Sequence, residues 1–200
     1  EDFRSFLTKV PSLIQSDPAF LRFLIVENMA SFSLMILPFY MIFAQESFQI
    51  GQEYIGRYLL FQIAGMIISN LFWSFISGRQ GSKAVVRSCI LMGGTIPLVA
   101  LALQFSGPDW FAVVFLLVGF VMSGRKVGFE PYLLDLAPED KRTLYIGIDG
   151  TLNFTKVLLP VIGGVFIDLF GFTLAFLVIT IIMAGAFIML GRSTKRKHKM

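Results

Sequence analysis

The residues of this sequence that could do chemistry are polar and ionisable side chains inside long apolar stretches. One stretch carries three such residues and a proline at the spacing i, i+4, i+7 and i+11, which places them on one face of a helix. They are Asp149, Asn153, Lys156 and Pro160. A face of this kind lines water, a solute or another polar helix. Because a charge at the centre of a membrane-spanning helix costs about 2.5–3.5 kcal/mol on insertion scales, each one needs a partner or a function.

Three other apolar stretches carry further candidates. Glu27 lies in the first and Gln62 in the second, and the fourth holds Lys126 and Glu130 four residues apart, with Arg125 turned about 100° from Lys126. We predict substrate-cavity residues and proton or ion-pair residues among them. The first set is Gln62, Arg125, Asn153 and Lys156, and the second is Glu27, Lys126, Glu130 and Asp149. The alternative for each residue is that it only locks helices together.

The elements that must position these residues are membrane-spanning helices. Of the 200 residues, 56% are hydrophobic and only 15% are charged, and the mean hydropathy is +0.75, so too few polar residues remain to cover a water-soluble globule. Six apolar stretches are each long enough for a helix to cross about 30 Å of hydrocarbon. They are 20–43, 54–77, 84–105, 110–134, 144–170 and 172–190. The predicted fold is therefore an all-α membrane protein with six spans.

The placement of charges predicts orientation. Twelve of the 17 Lys and Arg residues lie at the two ends of the chain or beside the second and fourth loops between spans, which by the positive-inside rule makes both termini cytoplasmic. The third span has only Arg87, near its end, and the sixth has no charge, so we expect both to face lipid. Aromatic residues near span ends are expected at the membrane interface. They are Tyr40, Tyr54, Tyr58, Trp73, Trp110, Tyr132 and Tyr145.

Several classes of chemistry have no sequence signal. No polar segment is long enough for a nucleotide-binding domain, and no Gly-rich phosphate loop is present. Cys89 and His198 are the single residues of their types, which leaves no Cys/His pair and no metal cluster. We therefore predict no enzyme activity, no metal, no cofactor and no nucleic-acid partner.

The loop between the second and third spans resembles the G-x-x-x-D-R-x-G-R-K/R signature of the major facilitator superfamily. The match rests on Arg79, Gly81 and Lys83, whereas Gly78 stands where the signature has Asp. The segment 130–142 is similar to the one that leaves the fourth helix of a repeat in that family. A degenerate copy of the signature is more like the family's C-terminal half than its N-terminal half.

This resemblance implies the second six-helix half of a secondary transporter in the cell membrane. Residues 1–19 would be a cytoplasmic linker segment, 20–190 the bundle and 191–200 a basic cytoplasmic tail. The protein would move a small solute by alternating access, and the resemblance leaves open whether a proton gradient drives this movement. Its partners would be the bilayer, the solute and an N-terminal six-helix half. The alternatives are a six-span scaffold that moves no solute and a half-size transporter that dimerises.

Overall fold

A computed structural model describes residues 16–152 and 155–191, and all regular secondary structure in this part of the chain is helical. The helices, numbered here in chain order, are α1 (Pro18–Met35), α2 (Leu37–Phe48), α3 (Gln52–Gln80), α4 (Ser82–Leu103), α5 (Pro108–Leu136), the 3₁₀ helix Glu139–Lys141, α6 (Arg142–Leu152) and α7 (Thr155–Gly191). The all-α prediction is confirmed for these residues.

The ends of the first two helices follow from local sequence. Asp17 caps α1, because its carboxylate accepts hydrogen bonds from the backbone N–H groups of Ala19 at 3.0 Å and Phe20 at 3.3 Å. Pro38 lies in the first turn of α2, where its missing N–H and its ring are tolerated. Ile36 separates the two helices, so the first predicted span is one apolar rod with a break at the proline.

Five described stretches are long and apolar enough to cross a membrane. They are Pro18–Phe48, Gln52–Gln80, Ser82–Leu103, Pro108–Leu136 and Glu139–Gly191. The last is 53 residues long, of which 153 and 154 lie outside the described residues, and it contains both the fifth and the sixth predicted spans. Its helical geometry is interrupted at Gly171, where φ is 78° and ψ is 166°.

Contacts along α1 and α2 show that α7 reverses direction at Gly171. The first half of α7 advances in the same direction as α1, and the second half runs in the opposite direction. The defining contacts are Glu27–Lys156 and Met35–Gly163 for the first half, and Tyr40–Phe176 and Met29–Gly185 for the second. Gly171 is therefore the turn of a helical hairpin, and its positive φ with extended ψ is a conformation that essentially only glycine adopts.

The remaining helices alternate in direction as well. Helix α5 runs parallel to α3 and antiparallel to α1 and α4. The contacts that establish this are Arg57–Asp109 and Trp73–Phe120 for α3, Phe23–Tyr132 and Phe43–Phe111 for α1 and α2, and Ser82–Asp135 and Cys89–Val121 for α4. Within residues 16–152 and 155–191, six helical segments thus alternate in direction. They are α1 together with α2, then α3, α4, α5, the part of α7 before Gly171 and the part after it.

Helices α3 and α5 touch backbone to backbone. A Cβ atom on Gly119 would lie 2.1 Å from the Gln62 carbonyl oxygen, and one on Gly65 would lie 2.2 Å from the Leu116 carbonyl oxygen. No larger side chain fits either position without moving a helix. This close approach is the small-residue packing that is common between membrane helices.

Five of the seven aromatic residues that were expected at the membrane interface are buried between helices. Trp73 is fully buried between α3 and α5, where its indole N–H donates to the Phe120 carbonyl at 2.8 Å. Tyr40, Tyr58, Tyr132 and Tyr145 are also buried. The Tyr58 hydroxyl, for example, donates a hydrogen bond of 2.7 Å to the Pro108 carbonyl inside the protein.

Candidate functional site

A polar cleft of about 330 Å³ opens between α1, α5 and α6. It brings together five of the eight predicted cavity and ion-pair residues, although they come from three separate parts of the chain. The residues that line it are Phe23, Glu27, Arg125, Lys126, Phe129, Glu130, Leu133, Ile146, Asp149 and Gly150. Its walls are apolar apart from the charged groups, so those charges act on one another with little screening by water.

The centre of the cleft's charge network is an ion pair between α1 and α7. The Lys156 ammonium donates to Glu27 Oε1 at 2.7 Å, and the two side chains are only 16% and 8% exposed. The other oxygen of Glu27, Oε2, is buried, and none of the described residues donates a hydrogen bond to it. A buried carboxylate oxygen without a donor is costly, so this atom is a place where a proton or a solute donor would be stabilised.

Arg125 lies on the opposite wall, on α5. Its guanidinium donates to the Ser31 hydroxyl at 3.2 Å and lies 4.6 Å above the ring of Phe129, a cation–π contact. Ser31 is itself oriented by a 2.7 Å bond from its hydroxyl to the Glu27 carbonyl. One turn of α1 therefore positions both the carboxylate of Glu27 and the hydroxyl that holds Arg125.

The other charged residues lie nearer the opening. Lys126 and Glu130 are exposed, and Asp149 is half-buried on α6. The negative charges of Asp149 and Glu27 both act on Arg125. The cleft thus has a buried ion pair and a guanidinium inside, and side chains of both positive and negative charge at its opening. This arrangement suits a polar or charged solute better than an apolar one.

Three predicted cavity residues do not line this cleft. Lys156 meets it only through its ion pair with Glu27. Gln62 lies between α3 and α5, where its amide nitrogen lies 3.0 Å from the sulfur of Met122. Asn153 lies outside the described residues. Phe129, in contrast, lines the cleft and was not predicted, because one phenylalanine among 22 carries no signal in the sequence.

The residues of the loop motif join α3 to α4. Gly81 ends one helix and begins the next with φ of 80°, and the Arg79 guanidinium lies 4.2 Å above the Phe75 ring. The hydroxyl of Ser82 donates to a carboxylate oxygen of Asp135, so the loop is tied to the end of α5. Lys83 lies close enough to Arg22 and Arg87 for the three positive charges to interact. The motif therefore lies at the end of the bundle and not in the cleft.

Metal chemistry has no candidate in the described part of the chain, where no group of three or more His, Cys, Asp and Glu residues could hold an ion. Cys89 is buried, with its sulfur 3.5 Å from the Val121 carbonyl oxygen.

Comparison with known proteins gives one family. The family model described as Major Facilitator Superfamily matches residues 23–199. No curated protein and no solved structure matches the chain.

Proposed function

Because this chain belongs to the major facilitator superfamily, and so is a multi-pass membrane protein of a transporter family, we propose that it is the C-terminal half of a secondary active transporter. The protein moves a small solute across the cell membrane by alternating access. The observation that carries this proposal is the buried Glu27–Lys156 ion pair beside Arg125 in a cleft between helices. Charges are rarely retained at such positions unless they take part in transport or packing.

The topology that we propose has six spans with both termini in the cytoplasm. The six alternating segments support the count, since a 53-residue stretch is far longer than the roughly 20 residues that one crossing requires. The reversal at Gly171 supplies the return. The twelve basic residues on one side support the orientation.

The proposed partner is an N-terminal six-helix half of the same protein, which would supply the other wall of the cavity. Helix α3 supports this arrangement, because only 17% of its most apolar window is buried. Leu60, Ile67 and Leu71 are among its exposed side chains, at 68%, 65% and 80%. Such a face must be covered by lipid or by another helix.

In the proposed cycle, Glu27 exchanges partners. While Glu27 is ionised, its Oε1 holds Lys156 and ties α1 to α7. A proton or a solute donor that binds the buried Oε2 weakens this pair, because a neutral or otherwise engaged carboxyl attracts the ammonium less. Release of α7 from α1 then allows the two elements to move apart, so binding in the cleft is coupled to a helix movement.

The proposal is tested with the full-length protein in liposomes that contain a pH-sensitive dye. An imposed pH gradient and a panel of small solutes (amino acids, sugars and organic anions) identify the substrate by solute-dependent proton flux. We expect the triple variant Glu27→Gln, Glu130→Gln and Asp149→Asn to lose gradient-driven uptake. The matched control Glu46→Gln, which changes an exposed acid at the end of α2, should keep it.

Two results would overturn parts of the proposal. Full gradient-driven uptake by the triple variant would show that these carboxylates do not couple protons to transport. If no solute in the panel moved, and the amide variants changed only the yield of assembled protein, the scaffold alternative would replace the transporter.

A further inference from the structure

A second feature, unrelated to the cleft, is an apolar groove between α4 and the last part of α7. It has a volume of about 250 Å³ and its lining is almost entirely apolar. On α4 it is bordered by Leu91, Gly94 and Leu98, and on α7 by Thr180 and Ile188. The groove is open along its side, since Leu91 and Ile188 are 53% and 54% exposed.

The groove begins at a positive charge. Arg87, Leu91, Gly94 and Leu98 follow the spacing i, i+4, i+7 and i+11 and share one face of α4. The Arg87 guanidinium lies 4.6 Å above the ring of Phe187, which also lines the groove. From Arg87 to Leu98 the helix rises about 16 Å. The groove therefore runs along α4 from a cation near the start of the helix to beyond its midpoint.

Two more cations extend this positive end. Lys83 lies one turn before Arg87, and the charges of Arg22 and Arg87 both act on it. Arg22 also lines a neighbouring pocket with Gly185, Ile188 and Met189. Ile188 borders both cavities, so the basic cluster of Arg22, Lys83 and Arg87 is continuous with the apolar groove.

We propose that this surface binds one anionic phospholipid, with its phosphate on Arg22, Lys83 and Arg87 and one acyl chain in the groove. Each part of the surface matches one part of that molecule. Guanidinium groups pair with phosphate oxygens in a bidentate geometry. A membrane-facing groove with almost no polar lining matches a hydrocarbon chain. Clustered basic residues at a helix end are the feature by which proteins attract anionic lipids.

The charge of the site selects among occupants. A second copy of this chain or another apolar helix could fill the groove, but an apolar face offers no anionic group to the three cations at its mouth. An anionic phospholipid offers both a hydrocarbon chain and a phosphate. The proposal does not depend on solute transport, because the site is on the outer side of α4 and α7 and shares no lining residue with the cleft.

The test measures lipid retention by native mass spectrometry on the purified full-length protein. The probes are dioleoyl phosphatidylglycerol and dioleoyl phosphatidylcholine, which differ in headgroup charge and have the same acyl chains. We expect preferential retention of phosphatidylglycerol. Arg87→Gln should lower its affinity about fivefold, which corresponds to the loss of one cation near the membrane surface. The matched control Arg142→Gln, which removes an exposed cation away from the groove, should leave it unchanged.

A second variant tests the acyl-chain part. Thr95 lines the groove and is exposed, and its hydroxyl donates to the carbonyl of Met92 within the same helix, at 2.9 Å. Thr95→Phe therefore fills the groove without disturbing helix packing, and it should lower retention of both lipids at this site. The control Ile42→Phe adds bulk to an exposed position on α2 and should have no effect.

Three outcomes would overturn the proposal. Equal retention of the two lipids would remove the role of the basic cluster. Unchanged phosphatidylglycerol binding by Thr95→Phe would show that the acyl chain lies elsewhere. Loss of a protein dimer in Thr95→Phe, with lipid retention intact, would identify a second copy of the chain as the occupant.

Discussion

The buried ion pair predicts a large non-additivity in a double-mutant cycle. Glu27→Leu leaves the Lys156 ammonium unpaired at 16% exposure, and Lys156→Met leaves the Glu27 carboxylate unpaired at 8% exposure. Removal of one partner of a buried pair costs about 3–5 kcal/mol, because the remaining charge keeps its desolvation penalty and loses its attraction. Each single variant should therefore lose about that much free energy of unfolding.

The double variant should be nearly as stable as the unsubstituted protein. Replacement of both charges by apolar side chains of similar size removes the desolvation penalty together with the attraction, and such exchanges are often neutral or stabilising. The coupling free energy of the cycle should thus be about 3 kcal/mol or more. The assay is equilibrium unfolding of the full-length protein in mixed micelles of SDS and dodecylmaltoside, followed by circular dichroism.

The pair Arg57–Asp109 is the matched control for this cycle. It also joins two helices, but its side chains are 46% and 62% exposed, so its coupling should be only about 0–1 kcal/mol. The reasoning that burial strengthens this ion pair would be refuted by additive losses of unfolding free energy at Glu27 and Lys156. A coupling free energy no larger than that of the exposed pair would refute it as well.

Two further predictions concern glycines and share one control. Gly119→Ala should lower the free energy of unfolding by about 1–3 kcal/mol, since its Cβ would lie 2.1 Å from the Gln62 carbonyl oxygen; a neutral result in the same unfolding assay would contradict the backbone contact of α3 with α5. Gly171→Ala should cost about 1–3 kcal/mol for a different reason, its φ of 78° with ψ of 166°, and a stabilised variant would argue against the hairpin turn. Gly56→Ala, at a helical position with nothing within 4 Å of the added atom, should instead be neutral or stabilising by about 0.5–1 kcal/mol.

Much of the membrane architecture could be predicted from local sequence. Apolar length predicted helices long enough to cross a membrane, since hydrocarbon thickness sets the number of residues that a helix needs, and five stretches in the structure have that length. The loop residues Arg79, Gly81 and Lys83 indicated the family, which the match over residues 23–199 confirms. The predicted spans 144–170 and 172–190 leave Gly171 between them, and the structure gives this residue the positive φ of a turn.

The sequence showed which polar residues needed an explanation, but not which of them would meet in one site. Glu27, Arg125 and Asp149 were each identified as charges that lipid would not tolerate, and the structure brings them to one cleft. Gln62 has the same polar character in an apolar run, yet it faces Met122 between α3 and α5. The sequence periodicity gives only the direction of a side chain about the axis of its own helix. Which helix lies in that direction is set by the packing of the helices against one another.

What the sequence determined by itself is therefore what depends on the solvent of each segment: the helical class, the apolar stretches long enough to cross a membrane and the positions where a charge must be explained. Tertiary structure alone decided the pairings, such as Lys156 with Glu27 and Trp73 with the Phe120 carbonyl. The physical reason is that the hydrophobic requirement acts on each helix separately. Ion pairs, indole hydrogen bonds and glycine contacts depend instead on distances of a few ångströms between residues that are far apart in the chain.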